Sequence, residues 1–163
     1  MDENLQKVDH TAIKVNQALI ILLNILAFIF NAPWLAAVVA LVMILGTIIK
    51  KPGFYPLYQY ILKPSRIMNP EILLDNPEPH RFAQGFGAIV MTMGSLALFL
   101  GASTLGWGLV WLVTSLAALN LFVGFCAGCA VYYWLARINA PGFSKMAPAG
   151  TVPGMRPKAR AAE

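Results

Sequence analysis

The chain has 163 residues, 58% of them hydrophobic and only 12% charged, where an ordinary soluble domain carries about 25% charged residues. That balance excludes a soluble globular enzyme, and the length sets a single domain as the default. The formal charge of +5 is distributed as a membrane-topology signal and is no footprint for nucleic acid.

The charges are confined to a few zones. No Asp, Glu, Lys or Arg occurs between Val15 and Ile49, or between Phe82 and Ala136. Each stretch can hold two membrane crossings of about 20 apolar residues. The first divides at Asn31-Ala32-Pro33-Trp34. This predicts crossings over about 11–30 and 33–49, with Pro33 in a first helical turn where its missing N–H costs nothing. Helix one follows a polar segment and has no small-residue cleavage site behind it, so it reads as an anchor and not a signal peptide. The second stretch divides at Gly101-Ala102-Ser103-Thr104, predicting crossings over about 82–100 and 105–123. The fold class expected is an all-α integral membrane protein with four transmembrane helices.

Basic residues set the orientation. Lys7 and Lys14 precede helix one; Lys50, Lys51, Lys63, Arg66 and Arg81 lie between helices two and three; Arg137, Lys145, Arg156, Lys158 and Arg160 follow helix four. The two hairpin loops carry none. All basic residues therefore fall on one side, which the positive-inside rule assigns to the cytoplasm. The expected location is the inner (plasma) membrane, multi-pass, with both termini cytoplasmic and the lipid bilayer as a partner.

The two hairpins read as parallel repeats. Each has a polar entry, Asn16-Gln17 or Ala83-Gln84, and each is followed by Gly-Phe: Gly53-Phe54-Tyr55-Pro56-Leu57-Tyr58 and Gly124-Phe125-Cys126-Ala127-Gly128-Cys129. Residues 105–137 as one straight helix would be about 50 Å long, well over a hydrocarbon core of about 30 Å. By analogy with the first half, helix four leaves the membrane near Phe122 and breaks at Gly124. A short interfacial amphipathic helix then starts near Cys126, as one starts at Pro56 in the first half. Tyr132, Tyr133 and Trp134 suit the interfacial level.

The cytoplasmic connector 50–81 is rich in proline, and Asn69-Pro70-Glu71 reads as a helix start. Gly87, Gly94 and Gly101 recur every seven residues on helix three and present a smooth face for close helix contact, within the chain or with a membrane-helix partner. Residues 141–163, rich in Pro, Gly and Ala, are expected to be a disordered basic tail.

Cys126 and Cys129 are the candidate catalytic residues. A Cys-x-x-Cys pair puts two thiols on one helical turn, where the helix N-terminus stabilises the first thiolate and the second can resolve a mixed disulfide. The opposing reading is a pair of small, inert membrane residues. Two cysteines supply half of a closed four-ligand zinc site, so no metal is expected, and no cofactor: neither a haem ligand pair nor a phosphate loop is present. His80 and Arg81, at the start of helix three on the same side, are candidates to supply a proton or bind an anion. Their alternative is a solvated boundary pair with Arg81 as a topology anchor. His10 lies in a polar segment and is expected to be solvated. Asn24 and Asn120 either glue helices together or line a cavity. No acid or base lies between the helix ends, which argues against an ion-coupled transporter.

Val8-Asp9-His10 leading into Asn16-Gln17, then Arg81-Phe82-Ala83-Gln84-Gly85, then Asn120 with Gly124-Phe125-Cys126, Gly128-Cys129 and Tyr132, resembles the bacterial membrane family described as domain of unknown function 4395. The resemblance covers about residues 8–140, and Phe-Cys-x-Gly-Cys is its specific part. It implies the four-helix membrane fold and no defined activity. Related-looking membrane proteins with paired cysteines work beside thioredoxin-like or rhodanese-like partners, which implies such a partner here. Three functions follow as expectations. The first is a thiol–disulfide or sulfur-relay protein with Cys126 as the exposed attacking thiol. The second is a structural or assembly subunit without chemistry, and the third a passive transporter of a small sulfur species.

Overall fold

Long runs of apolar residues bounded by caps, prolines and tight turns fold as helices, and here their bounds follow those signals. In a computed structural model, residues 5–65, 68–148 and 150–157 are described; the basic residues Arg66, Lys158 and Arg160 lie outside them. Strand β1 (Gln6–Asp9) leads into α1 (His10–Ile29), and α2 (Pro33–Ile49) returns. A single turn, α3 (Tyr55–Leu57), continues as π-helical residues Tyr58–Leu62 and is followed by β2 (Ile72–Asp75). Then come α4 (Pro77–Phe99), α5 (Ser103–Ala118) with a π-helical extension Leu119–Val123, and α6 (Ala127–Arg137). Three helical segments are long and apolar enough to cross a membrane: His10–Ile29, Pro77–Phe99 and Ser103–Val123. The fourth apolar helix, α2, is shorter, at 17 residues.

The four long helices close into a ring in which α1 touches α2, α2 touches α4, α4 touches α5 and α5 touches α1. Ile20, Val39, Met43, Met91 and Val110 meet in its core. Leu41, Ile48, Ile89, Leu96 and Leu105 point outward and are exposed, the arrangement of a bundle whose solvent is apolar. Asn24 acts as interhelical glue: its Nδ2 donates to Thr114 Oγ1 at 3.0 Å, joining α1 to α5. The glycine face of α4 is used inside the chain. A β-carbon on Gly94 would lie 3.2 Å from Gly106 O, and one on Gly87 would lie 2.8 Å from Met43 Cε. Gly101 sits in the turn beyond α4.

Two features differ from the all-α expectation. β1 and β2 form an antiparallel pair with Asp9 opposite Ile72 and Gln6 opposite Asp75. The Asn69-Pro70-Glu71 stretch, expected to start a helix, is extended instead. The start of α1 consumes its polar groups: His10 N donates to Glu71 O at 2.8 Å, and Thr11 Oγ1 donates to Asn69 O and accepts from Glu71 N. The helix start lies at Asn76-Pro77-Glu78, so α4 begins five residues before Phe82 and carries His80 and Arg81 within its first turns.

One carboxylate ties this end of the molecule together. Asp9 caps α1, its Oδ1 accepting from Thr11 N at 3.0 Å and Ala12 N at 3.4 Å. Its Oδ2 accepts from the Tyr58 hydroxyl at 2.8 Å. Tyr58 is fully buried, and burial, reinforced by the neighbouring Asp9 carboxylate, pushes its pKa up to about 12. Tyr58→Phe removes a hydrogen bond to a charged group and is expected to cost about 1.5–3 kcal/mol, read as a lower unfolding midpoint in detergent. Because the folded pKa is raised, the wild-type contribution is complete below pH 10 and is lost as pH climbs through about 12. An unchanged midpoint would contradict the assignment.

Candidate functional site

The cysteines are placed by a helix start. The π-helical extension of α5 ends at Gly124, whose φ of +76° carries a steric cost for any residue with a β-carbon. The chain turns there, and Cys126 takes the N-cap position of α6, its Sγ accepting from Cys129 N at 3.1 Å. The break at Gly124 and the short helix near Cys126 are thus where the sequence placed them. Cys126 and Cys129 are joined in a disulfide, with Cα atoms 5.2 Å apart.

Beside the disulfide runs a chain of polar contacts, centred on buried Asp75. His80 Nδ1 lies 3.5 Å from Cys129 Sγ, and His80 Nε2 lies 2.9 Å from Asp75 Oδ2. His10 Nε2 approaches the same carboxylate oxygen at 3.2 Å, within ion-pair distance but off the line of a good hydrogen bond. The two imidazoles meet edge to face, 5.6 Å between centroids. Asp75 Oδ1 accepts from Asn76 N at 2.8 Å. Burial alone would raise the Asp75 pKa; the contacts from His10 and His80, with the Asn76 N–H, outweigh it and hold the carboxyl well below the usual carboxylate range. An ionised carboxylate only accepts, so His80 Nε2 carries the hydrogen, and in the neutral ring Nδ1 turns a lone pair toward Cys129.

Of the predicted site residues, Cys126, Cys129 and His80 come together. Arg81 does not join them: it lines a larger cavity and makes no ion pair among the described residues. His10, expected to be solvated, is 2% exposed. The pairing of β1 with β2 brings it to Asp75, a residue the sequence reading did not single out. The one available signal was the cap-and-proline start Asn76-Pro77, which places Asp75 at a helix entrance. Neither cysteine is exposed: Cys126 is 6% and Cys129 3% accessible. Described residues of the tail, within 143–148 and 150–157, lie against them. Cys126 N donates to Gly154 O at 2.7 Å, Arg156 N donates to Gly124 O at 3.0 Å, and Phe125 bridges Met155. Phe143 and Ala147 pack on the cysteines with Tyr132 and Tyr133. Residues 158–163 lie outside the described residues.

Two donor sets lie close enough to hold a metal ion: His80 with Cys126 and Cys129, and His10 with Asp75 and His80. The first requires the cysteines to be reduced, and each offers three ligands where a closed structural zinc site takes four. A polar cavity of about 20 Å³ between these groups has room for about one water. A second cavity of about 330 Å³ shares Cys126 and His80 in its wall and extends along α1, α4 and α5.

Two outcomes follow from this geometry. Asp75→Asn is expected to cost about 1.5–3 kcal/mol at neutral pH. With its folded pKa depressed, Asp75 contributes stability that is complete above about pH 4 and fades as pH falls toward the folded value, so the variant's acid unfolding profile should be flatter. Gly154 has a φ of +87°, and a β-carbon there would lie 2.8 Å from Ala130 Cβ and 2.9 Å from Cys126 O. Gly154→Val should lift the tail and speed alkylation of Cys126 in reduced protein severalfold; equal rates would show that the tail does not limit access.

No match is found among the curated proteins or among the solved structures. The family model described as Domain of unknown function (DUF4395) matches residues 8–137, a span that takes in the end of β1, all four bundle helices, Asp75, His80 and both cysteines. The chain belongs to that family.

Proposed function

We propose that the protein is a membrane thiol–disulfide oxidoreductase whose Cys126–Cys129 pair exchanges two electrons with a dithiol partner at the cytoplasmic face. All four bundle helices serve as crossings, arranged as two parallel hairpins each followed by a short interfacial helix. At 17 residues, α2 spans about 26 Å and sits at the short end of crossing lengths. The clustering of the basic residues on one side supports cytoplasmic termini.

The observation that carries the reading is the contact of the disulfide with an imidazole fixed by a buried carboxylate. A packing disulfide needs no such neighbour. Once the tail lifts from Gly124 and Cys126, a thiolate of the partner, thioredoxin-like in chemistry, attacks Cys126 Sγ, and the Cys126–Cys129 bond breaks. Cys129 leaves as a thiolate and takes a proton delivered through His80, with Asp75 stabilising the imidazolium. The partner's second thiolate then attacks the mixed disulfide and releases Cys126. The partner ends oxidised and the pair reduced. In the reverse direction, Cys126 is the nucleophile and His80 takes the proton of Cys129.

His80→Ala should slow reduction of the disulfide by a small dithiol near neutral pH by about 10²-fold, the lower end of general acid–base contributions, and abolish the pH dependence that the imidazole confers. The Cys126→Ser, Cys129→Ser variant should be inserted and inert. Wild-type rates in the His80 variant at every pH would remove the imidazole from the mechanism.

A further inference from the structure

We infer that the cavity of about 330 Å³ beside Cys126 is a binding site for a membrane-soluble quinone, which accepts the electrons collected by the cysteine pair. This rests on the thiol-exchange reading and supplies its second half-reaction, since a pair that receives two electrons must pass them on.

The cavity has the size of small-molecule sites, about 300–1,000 Å³. Its wall runs from a polar rim at Lys50 and Lys51 to Ile20, Val90 and Val113 inside the bundle. On α4 alone, the distance from Pro77 to Val90 is about 20 Å, enough to hold a ring at the polar end and an isoprenoid chain among apolar side chains. The ring end is bounded by His80, Arg81, Gln17 and the Cys126–Gly128 turn. Quinone oxygens are acceptors, and Arg81 is a donor without an ion pair among the described residues. Quinol hydroxyls are donors, and Gln17 Oε1 is a buried acceptor with no hydrogen-bond partner. One ligand class satisfies both in turn. A charged or strongly polar metabolite would not fill the apolar reach, and an acyl chain alone would leave Arg81 and Gln17 unmatched.

The step balances. In the reduced pair, the Cys126 thiolate adds to a ring carbon of the quinone, and the ring's electron pair moves to a carbonyl oxygen, which takes up from solvent the equivalent of the proton that Cys126 released on ionising. Cys129, its proton taken by His80, attacks Cys126 Sγ. The S–S bond forms, the C–S bond breaks, and its electron pair stays on the ring, whose second oxygen takes the proton. The dithiol becomes a disulfide and the quinone becomes a quinol.

The test uses the full chain in detergent, reduced and freed of reductant under anaerobic conditions, with a short-chain ubiquinone as probe. The expected result is one quinone reduced for each cysteine pair oxidised, at a rate absent from the Cys126→Ser, Cys129→Ser variant. Leu116→Trp, which fills the cavity, and Gln17→Leu, which removes its acceptor, should each slow quinone reduction by about tenfold or more, while exchange of the disulfide with a small dithiol keeps its wild-type rate. Should the Leu116 variant fail to fold, the Gln17 variant and saturable quinone quenching of tryptophan fluorescence decide the matter. Normal dithiol exchange with no quinone reduction above the double variant overturns the quinone site and spares the thiol reading. Loss of dithiol exchange in the wild-type protein overturns that reading itself. Lipid found in the cavity that quinone fails to displace also overturns the assignment.

Discussion

A buried carboxylate next to a membrane bundle is unfavourable unless positive or hydrogen-bonding groups surround it, and the starts of α1 and α4 supply them for Asp75. Two imidazoles and a backbone N–H converge on it. They come from α1, α4 and the end of β2, so the carboxylate holds its charge only when the β1–β2 pair has formed and both helix starts are in register. The cost of an unpaired buried charge is what makes the arrangement specific. His80 is fixed by that requirement, and its second nitrogen is thereby aimed at Cys129. The α6 start, the glycine turn at Gly124 and the docked tail complete a compartment in which a buried disulfide and a buried carboxylate flank a partly exposed imidazole.

The helices were legible in the sequence because membrane crossings are written in composition. The empty charge zones located all four apolar helices, Pro33 and Gly124 marked a start and a stop, and Asn24 announced interhelical hydrogen bonding. Two of the polar residues at the helix entrances took structural roles: Asn16 Oδ1 accepts from Phe54 N at 2.9 Å, and Gln84 Nε2 donates to Met43 O and Lys51 O. The cysteine pair and His80 were visible as chemistry-bearing residues on one side of the bundle.

What the sequence concealed depends on contacts remote along the chain. His10 and Asp75 have polar neighbours and look solvated locally; a four-residue strand pairing brings them together, and strands this short carry no usable periodicity. Asn69-Pro70-Glu71 satisfied the local rules for a helix start, but Thr11 and His10 compete for the same backbone groups and win. The tail has the composition of a disordered segment. Its described residues make backbone hydrogen bonds to Gly124 and Cys126 and seat Gly154 closely, and none of these contacts needs a distinctive side chain. Burial of the cysteines follows from that docking, so the exposure inferred from their place at the membrane edge did not hold.

Thiol exchange requires the cysteine pair to change redox state inside the folded protein. The most direct measurement is a redox titration of the purified full chain in dithiol buffers at neutral pH, with the two thiols trapped by alkylation and counted. The expected result is a reversible, two-electron conversion of Cys126 and Cys129 that leaves the fold intact. A pair that stays in one state across the whole series, and becomes convertible only after denaturation, would contradict it.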